Sequence, residues 1–257
     1  MNLSCDDIME VKILFVEKEE MKESYDFLLT GLPEIGLPAI IALRHIVHTL
    51  NMKYVGYGSI QPPLLLVRYE NKKVTPLIQV YEKDNLLVVL PEIPMQAYLL
   101  QPLAEFIWNI IEKKNVKYSI FLGSLPSRDR EKKLSPEELL MVVASVNMGD
   151  IIKKKIPDAK EFHTGVLFGP FAYLLWRAAE KNKSAALILS ETFARPLIAG
   201  DVTSAIRLVN AVSSITGIPI SIEELKKKQE ELRIALRSLE QLVSQAKPRE
   251  ETYELYT

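Results

Sequence analysis

An α/β fold built on a mixed central sheet is predicted by three features of the 257-residue sequence. Strand-like apolar runs alternate with amphipathic helical patterns along most of the chain, the order expected of a sheet covered by helices. Residues 53–92 hold four strand-like runs with no room for a helix between them, so part of the sheet is an antiparallel meander. Runs such as "LLVVL" and "AALIL" lack polar alternation, as strands buried on both faces do.

The elements follow in order. Strands are predicted at 11–16, 26–31, 53–60, 64–70, 75–82, 85–92, 118–125, 141–146, 162–169 and 184–192. Helices are predicted at 37–50, 95–113, 136–140, 171–182, 202–215 and 222–244. "SPEE" at 135–138 and "SIEE" at 221–224 place Ser three residues ahead of Glu at a helix start, the capping-box arrangement. No repeat or low-complexity linker interrupts the pattern, so the expected partition is one domain over residues 1–246 and a flexible tail over 247–257.

Composition narrows the function. A hydrophobic content of 48% and a net charge of −1 describe an ordinary globular chain with no whole-molecule field for nucleic acid or membrane. The apolar runs are far shorter than the roughly 20 residues that span a bilayer. The start, "MNLSCDDIMEVK", lacks the features of a secretory signal, and Cys5 as the single cysteine excludes an intramolecular disulfide. The expectation is a cytoplasmic protein.

Signals for catalysis are sparse. "TGLPEIGLP" places Gly31 at a strand end and Gly36 before a helix, but Leu37 and Pro38 stand where a P-loop needs Lys and Ser/Thr. A tight strand-to-helix turn is the favoured reading, and a helix N-terminus there still attracts an anion. His45 and His48 share a helical face without a ligand partner at metal-site spacing, and His163 stands alone. Glu92, Glu191 and Asp201 lie at predicted element ends, where α/β ligand sites occur. "FLGSLPS" carries Ser124 but not the second glycine of a nucleophile elbow.

The C-terminal region says more. Ile222, Leu225, Leu232, Leu236, Leu239 and Val243 keep an a/d heptad spacing, broken only by Gln229. This seam either packs on its own domain or joins helices of two subunits, with Leu225, Leu232 and Leu239 as interface candidates. Pro248 disfavours further helix, and the chain closes on Leu255, Tyr256 and Thr257, which offer an apolar group, a hydroxyl-bearing ring and a carboxylate.

The stretches "LLTGLPEIGLPAIIALRHIV", "VVLPEIPMQAYLLQPLAEFIWNII", "YSIFLGSLPS", "HTGVLFGPFAYLLWRAAEKNKSAALILSET" and "AGDVTSAIRLVNAVSSITGIPI" together resemble the proteasome assembly chaperone family, in particular its archaeal members. The resemblance spans about residues 25–245. It implies a single phosphorylase/hydrolase-like α/β domain without catalysis or cofactor, self-associating as a small homo-oligomer, a tetramer or pentamer. It also gives Leu255-Tyr256-Thr257 a role, matching the hydrophobic-Tyr-any signature by which proteasome activators insert their tails between α-subunits of the core particle. Leu255 would fill an apolar pocket, Tyr256 wedge at a subunit boundary, and the Thr257 carboxylate pair with a lysine. The competing readings are a nucleoside-phosphorylase-like or ligase-type enzyme using the glycine turn and Glu191, and a scaffold for another family member.

Overall fold

The computed structural model describes residues 11–64, 66–70, 72–92, 96–132, 139–194, 200–232 and 234. The first half runs β1 (Lys12–Glu17), β2 (Phe27–Gly31), α1 (Pro38–Thr49), β3 (Lys53–Gln61), β4 (Arg68–Glu70), β5 (Lys73–Thr75), β6 (Ile78–Lys83), β7 (Leu86–Pro91) and α2 (Ala97–Lys113). The second half runs β8 (Tyr118–Ser127), a 3₁₀ turn (Asp129–Lys132), β9 (Leu139–Val143), α3 (Val146–Lys155), β10 (Lys160–Glu161), α4 (Pro170–Glu180), β11 (Ser184–Phe193) and α5 (Val202–Thr216). A last helix, α6, covers residues 223–232 and is helical again at 234.

Among the described residues, nine strands form one sheet in the order β1-β3-β6-β7-β2-β8-β11-β9-β10, while β4 and β5 pair only with each other. The centre, β7-β2-β8-β11, is parallel. On one side β3 and β6 extend it as an antiparallel meander ending at β1, and on the other β9 runs antiparallel to β11.

Successive side chains of a strand point to opposite faces, so each central strand feeds two cores. Leu29, Val88, Ile120 and Ile188 pack beneath α1, α3 and α5. Their neighbours Leu28, Val89, Phe121 and Leu187 pack beneath α2 and α4. Burial on both faces is why these strands carry no polar alternation.

Four expectations change. The run 75–82 is split between β5 and β6, because Pro76 has no N–H for a ladder bond. The expected strand 64–70 shrinks to Arg68–Glu70, in a separate hairpin. Residues 139–140, expected in a helix, lie in β9, and the helix is instead α3, whose N-cap Ser145 accepts from the Met148 N–H. "SPEE" lies outside the described residues but for its neighbour Leu139. The expected strand 162–169 is irregular chain after β10, ending at Gly169 with φ 83° and Pro170 at the start of α4. Among the described residues no helix is long and apolar enough to cross a membrane.

Candidate functional site

Ligands of open α/β sheets bind outside the carboxyl ends of the parallel strands, and the predicted glycine turn lies there. Gly31 closes β2 against α1, since a Cβ on it would stand 2.7 Å from that of Ala39. Gly36 takes φ 77°, and a Cβ there would meet Thr192 Oγ1 at 2.3 Å. Only glycine fits such a place. The Gly36 carbonyl accepts from the Asp201 N–H at 2.7 Å, tying the turn to the start of α5.

Several polar groups at these strand ends engage one another. Glu34 Oε2 accepts from the Ser124 N–H at 2.7 Å and from its hydroxyl at 3.1 Å. Burial pushes the Glu34 carboxyl above its ordinary range, and the two bonds from Ser124 oppose that rise. Asp201 accepts from the Ser204 N–H at 3.0 Å, the capping bond of α5, and from the Thr192 hydroxyl at 3.2 Å. Its other neighbour is Arg130 at 3.3 Å, with both side chains 1% exposed, and the guanidinium also lies over the Phe193 ring. Ser124 and Arg130, two donors at these strand ends, are thus engaged by carboxylates of the chain itself.

A second polar cluster lies on the far side of α1. Arg68 Nη1 is 2.9 Å from Glu92 Oε2, and Arg44 Nε pairs with the other carboxylate oxygen. Glu70 joins through Arg68 and, at 3.9 Å, Arg44. This network forms one wall of a cavity of about 650 Å³ between α1, β6, β7, the β4–β5 hairpin and α6. Tyr81 lines it, its phenol pushed upward by burial and then by Glu92.

Among the expected acid/base groups, Glu92 is therefore an ion-pair partner and Asp201 a buried cap, while Glu191 is a buried residue of β11 whose carbonyl accepts from the Ser204 hydroxyl. His45 and His48 fasten α6. His45 Nε2 donates to the Ser221 carbonyl at 2.6 Å, and His48 Nδ1 lies 3.6 Å from Glu224. Among the described residues no group of three or more His, Cys, Asp or Glu is placed to hold a metal. His163 is exposed in irregular chain.

Leu225 is 2% exposed and belongs to the core beneath α1 and α5, and Leu232 is partly buried against the same core. Gln229 adds a bond of 2.8 Å to Thr203 on α5. Leu239 and the Leu255-Tyr256-Thr257 triplet lie outside the described residues.

Residues 28–240 match the PAC2 family model. The chain belongs to the PAC2 family. A relative of similar length, an uncharacterized protein of Methanocaldococcus jannaschii, is 26% identical over 244 residues, 94% of this chain and 97% of that one. The PAC2 fold seen here is similar to that of Pyrococcus furiosus PbaA, described as an archaeal homolog of proteasome-assembly chaperone. The TM-score is 0.77 at 22% identity, over 92% of this chain and 94% of PbaA. It is similar also to PbaB of the same organism, described as an archaeal proteasome activator, with a TM-score of 0.73 at 20% identity over 89% of this chain and 99% of PbaB.

Sequence reasoning missed the Glu34–Ser124 and Arg130–Asp201 pairs. Arg130 sits in "SRDREKK", which reads as a solvated charged run, and nothing local marks one arginine of it as buried. The glycine turn did carry a signal, because a left-handed Gly36 and the residues on either side of it must be packed by something.

Proposed function

We propose that this PAC2 protein is a non-enzymatic chaperone or activator of the proteasome, which docks Leu255-Tyr256-Thr257 into the α-ring of the core particle. The observation that carries this reading is the family match over residues 28–240 together with a fold like those of PbaA and PbaB. Ser124, Glu34 and Asp201 engage neighbours of the same chain, which supports the non-enzymatic part.

The base of the tail helix is held on the domain by Leu225, Gln229 and the His45 contact. A tail leaving such a base needs several copies to bind well. Burying one Leu and one Tyr contributes roughly 1.5–3 kcal/mol each, against about 1–2 kcal/mol for every residue ordered. A small cytoplasmic homo-oligomer with several tails raises avidity by about 10²–10⁴.

The test is a pull-down with purified proteasome α-subunits. The intact protein is expected in the bound fraction, and protein lacking residues 255–257 or carrying Tyr256→Ala is expected to lose at least tenfold in binding. Equal binding by all three would overturn tail docking.

A further inference from the structure

The cavity beside α1 is balanced in charge. Arg44, Arg68 and Lys228 line it against Glu70, Glu92 and Glu224, besides the two histidines that fasten α6. Its floor is apolar, with Leu90, Met52 and Leu225 all buried. At about 650 Å³ it falls within the roughly 300–1,000 Å³ of small-molecule sites, which combine apolar walls with a few placed polar groups.

Most of these charges are taken up. Arg68 is held by Glu92 at 2.9 Å and by Glu70, and Lys228 by Glu224 at 2.8 Å. One contact is left open. Arg44 Nη1 and Glu70 Oε1 stand 3.9 Å apart, beyond hydrogen-bond reach, with side chains 48% and 44% exposed. Among the described residues the Arg44 guanidinium donates only through Nε, to Glu92, and Glu70 accepts only on Oε2, from Arg68. Two Nη groups and one carboxylate oxygen of the cavity lining are therefore left for an occupant.

The balance decides what fits between them. With three cations against three carboxylates, a ligand of net charge brings a charge that the lining leaves uncompensated, and such a charge costs more in a cavity than in bulk water. A neutral molecule leaves both open groups unfilled. A zwitterion fills them and keeps the balance. In an α-amino acid the ammonium nitrogen and a carboxylate oxygen, joined through one Cα, lie roughly 3 Å apart, close to the separation of Arg44 and Glu70. We infer that this cavity binds a free α-amino acid with a large apolar side chain. Its carboxylate accepts from the Nη groups of Arg44, its ammonium donates to Glu70 Oε1, and its side chain lies on the apolar floor beside Tyr81, whose phenol is near enough to feel Glu92, Arg68 and Glu70. This site goes beyond the proteasome reading and does not depend on the tail.

Isothermal titration calorimetry of the full-length protein tests it with three molecules that share one apolar body: L-phenylalanine, hydrocinnamate, which lacks the ammonium, and phenethylamine, which lacks the carboxylate. L-phenylalanine is expected to bind with a Kd of about 1 mM or tighter, and each analogue at least tenfold more weakly. Arg44→Gln and Glu70→Gln, both at half-exposed positions, are expected to lose tenfold or more for L-phenylalanine. Equal Kd for the analogues overturns the zwitterionic head group, and an unchanged Kd in either variant overturns its place between Arg44 and Glu70. Absence of binding by L-phenylalanine, L-leucine and L-methionine alike overturns the site altogether. The ligand series uses the unaltered protein, so it decides the question even if a variant misfolds.

Discussion

Arg68 Nη1 stands 2.9 Å from Glu92 Oε2, joining a hairpin outside the main sheet to the residue that follows β7. Glu92 is 6% and Arg68 15% exposed at the side chain, so the pair is shielded from the water that makes surface ion pairs weak. Removing one partner of a buried pair leaves the other charge uncompensated and costs about 3–5 kcal/mol. Arg68→Met is expected near the lower end, because Arg44 still faces Glu92. Glu92→Gln added to Arg68→Met should recover part of that loss, and urea denaturation of the two variants measures it. No recovery would show that the arginine stabilises by packing and not by charge.

Glu34 predicts a pH dependence. Burial raises its folded carboxyl above the unfolded value, so the protonated form is favoured by folding. The stability it contributes is present below the unfolded value of about 4.3 and is lost as pH rises through the folded one. Glu34→Gln keeps an oxygen for the Ser124 N–H and has no charge to bury. Its stability relative to the wild type should therefore grow between pH 4 and pH 7, as read by denaturation at several pH values. A difference constant across that range would show that Glu34 is charged at little cost.

The final helix separates core from interface. Leu225, 2% exposed among α1 and α5 residues, should cost about 2–5 kcal/mol on Leu225→Ala, the range for deleting a buried leucine side chain. Leu232 is only partly buried. Leu232→Asp combined with Leu239→Asp should lower the melting temperature only modestly, Leu232 being partly buried, and lower the solution mass if the seam beyond Leu225 meets a second subunit. An unchanged mass with a large fall in melting temperature assigns the whole seam to its own domain.

Tail docking predicts independence from the fold. Deleting residues 255–257 should leave melting temperature and solution mass unchanged, since a chain tip contributes little core burial. A peptide of residues 248–257 should bind α-subunits far more weakly than the whole protein, by roughly the 10²–10⁴ that multivalency supplies. Matching affinities would remove the oligomer from the argument.

Most of the fold was legible in the sequence where one periodicity dominated. β7 and β11 are buried on both faces and read as the apolar runs "LLVVL" and "AALIL", and α1, α2, α4 and α5 lie within a few residues of their expected bounds. The misreadings fall where short signals compete. Residues 162–169, rich in valine, leucine and phenylalanine, look like a strand, yet Val166 and Phe168 are 87% and 91% exposed. α3 was hidden because its polar, lysine-ended sequence "VNMGDIIKKK" depends on Ser145 and on packing against β11 and α5 more than on its own periodicity.

Local chemistry along the chain thus dictates the α/β class, the turn at Gly36 and the apolar seam that starts at Ile222, because each rests on backbone sterics or on the spacing of neighbours within one element. Whether a given charge is buried is a different matter. Glu34 meets Ser124 across 90 residues and Arg130 meets Asp201 across 71, and no window of sequence contains both partners. The same holds for Arg68 and Glu92, where the meander returns to the end of β7, and for Leu225, which the spacing alone left free to face either its own domain or a neighbour. Those pairings depend on which strands lie side by side, and sheet order is settled by the packing of the whole chain.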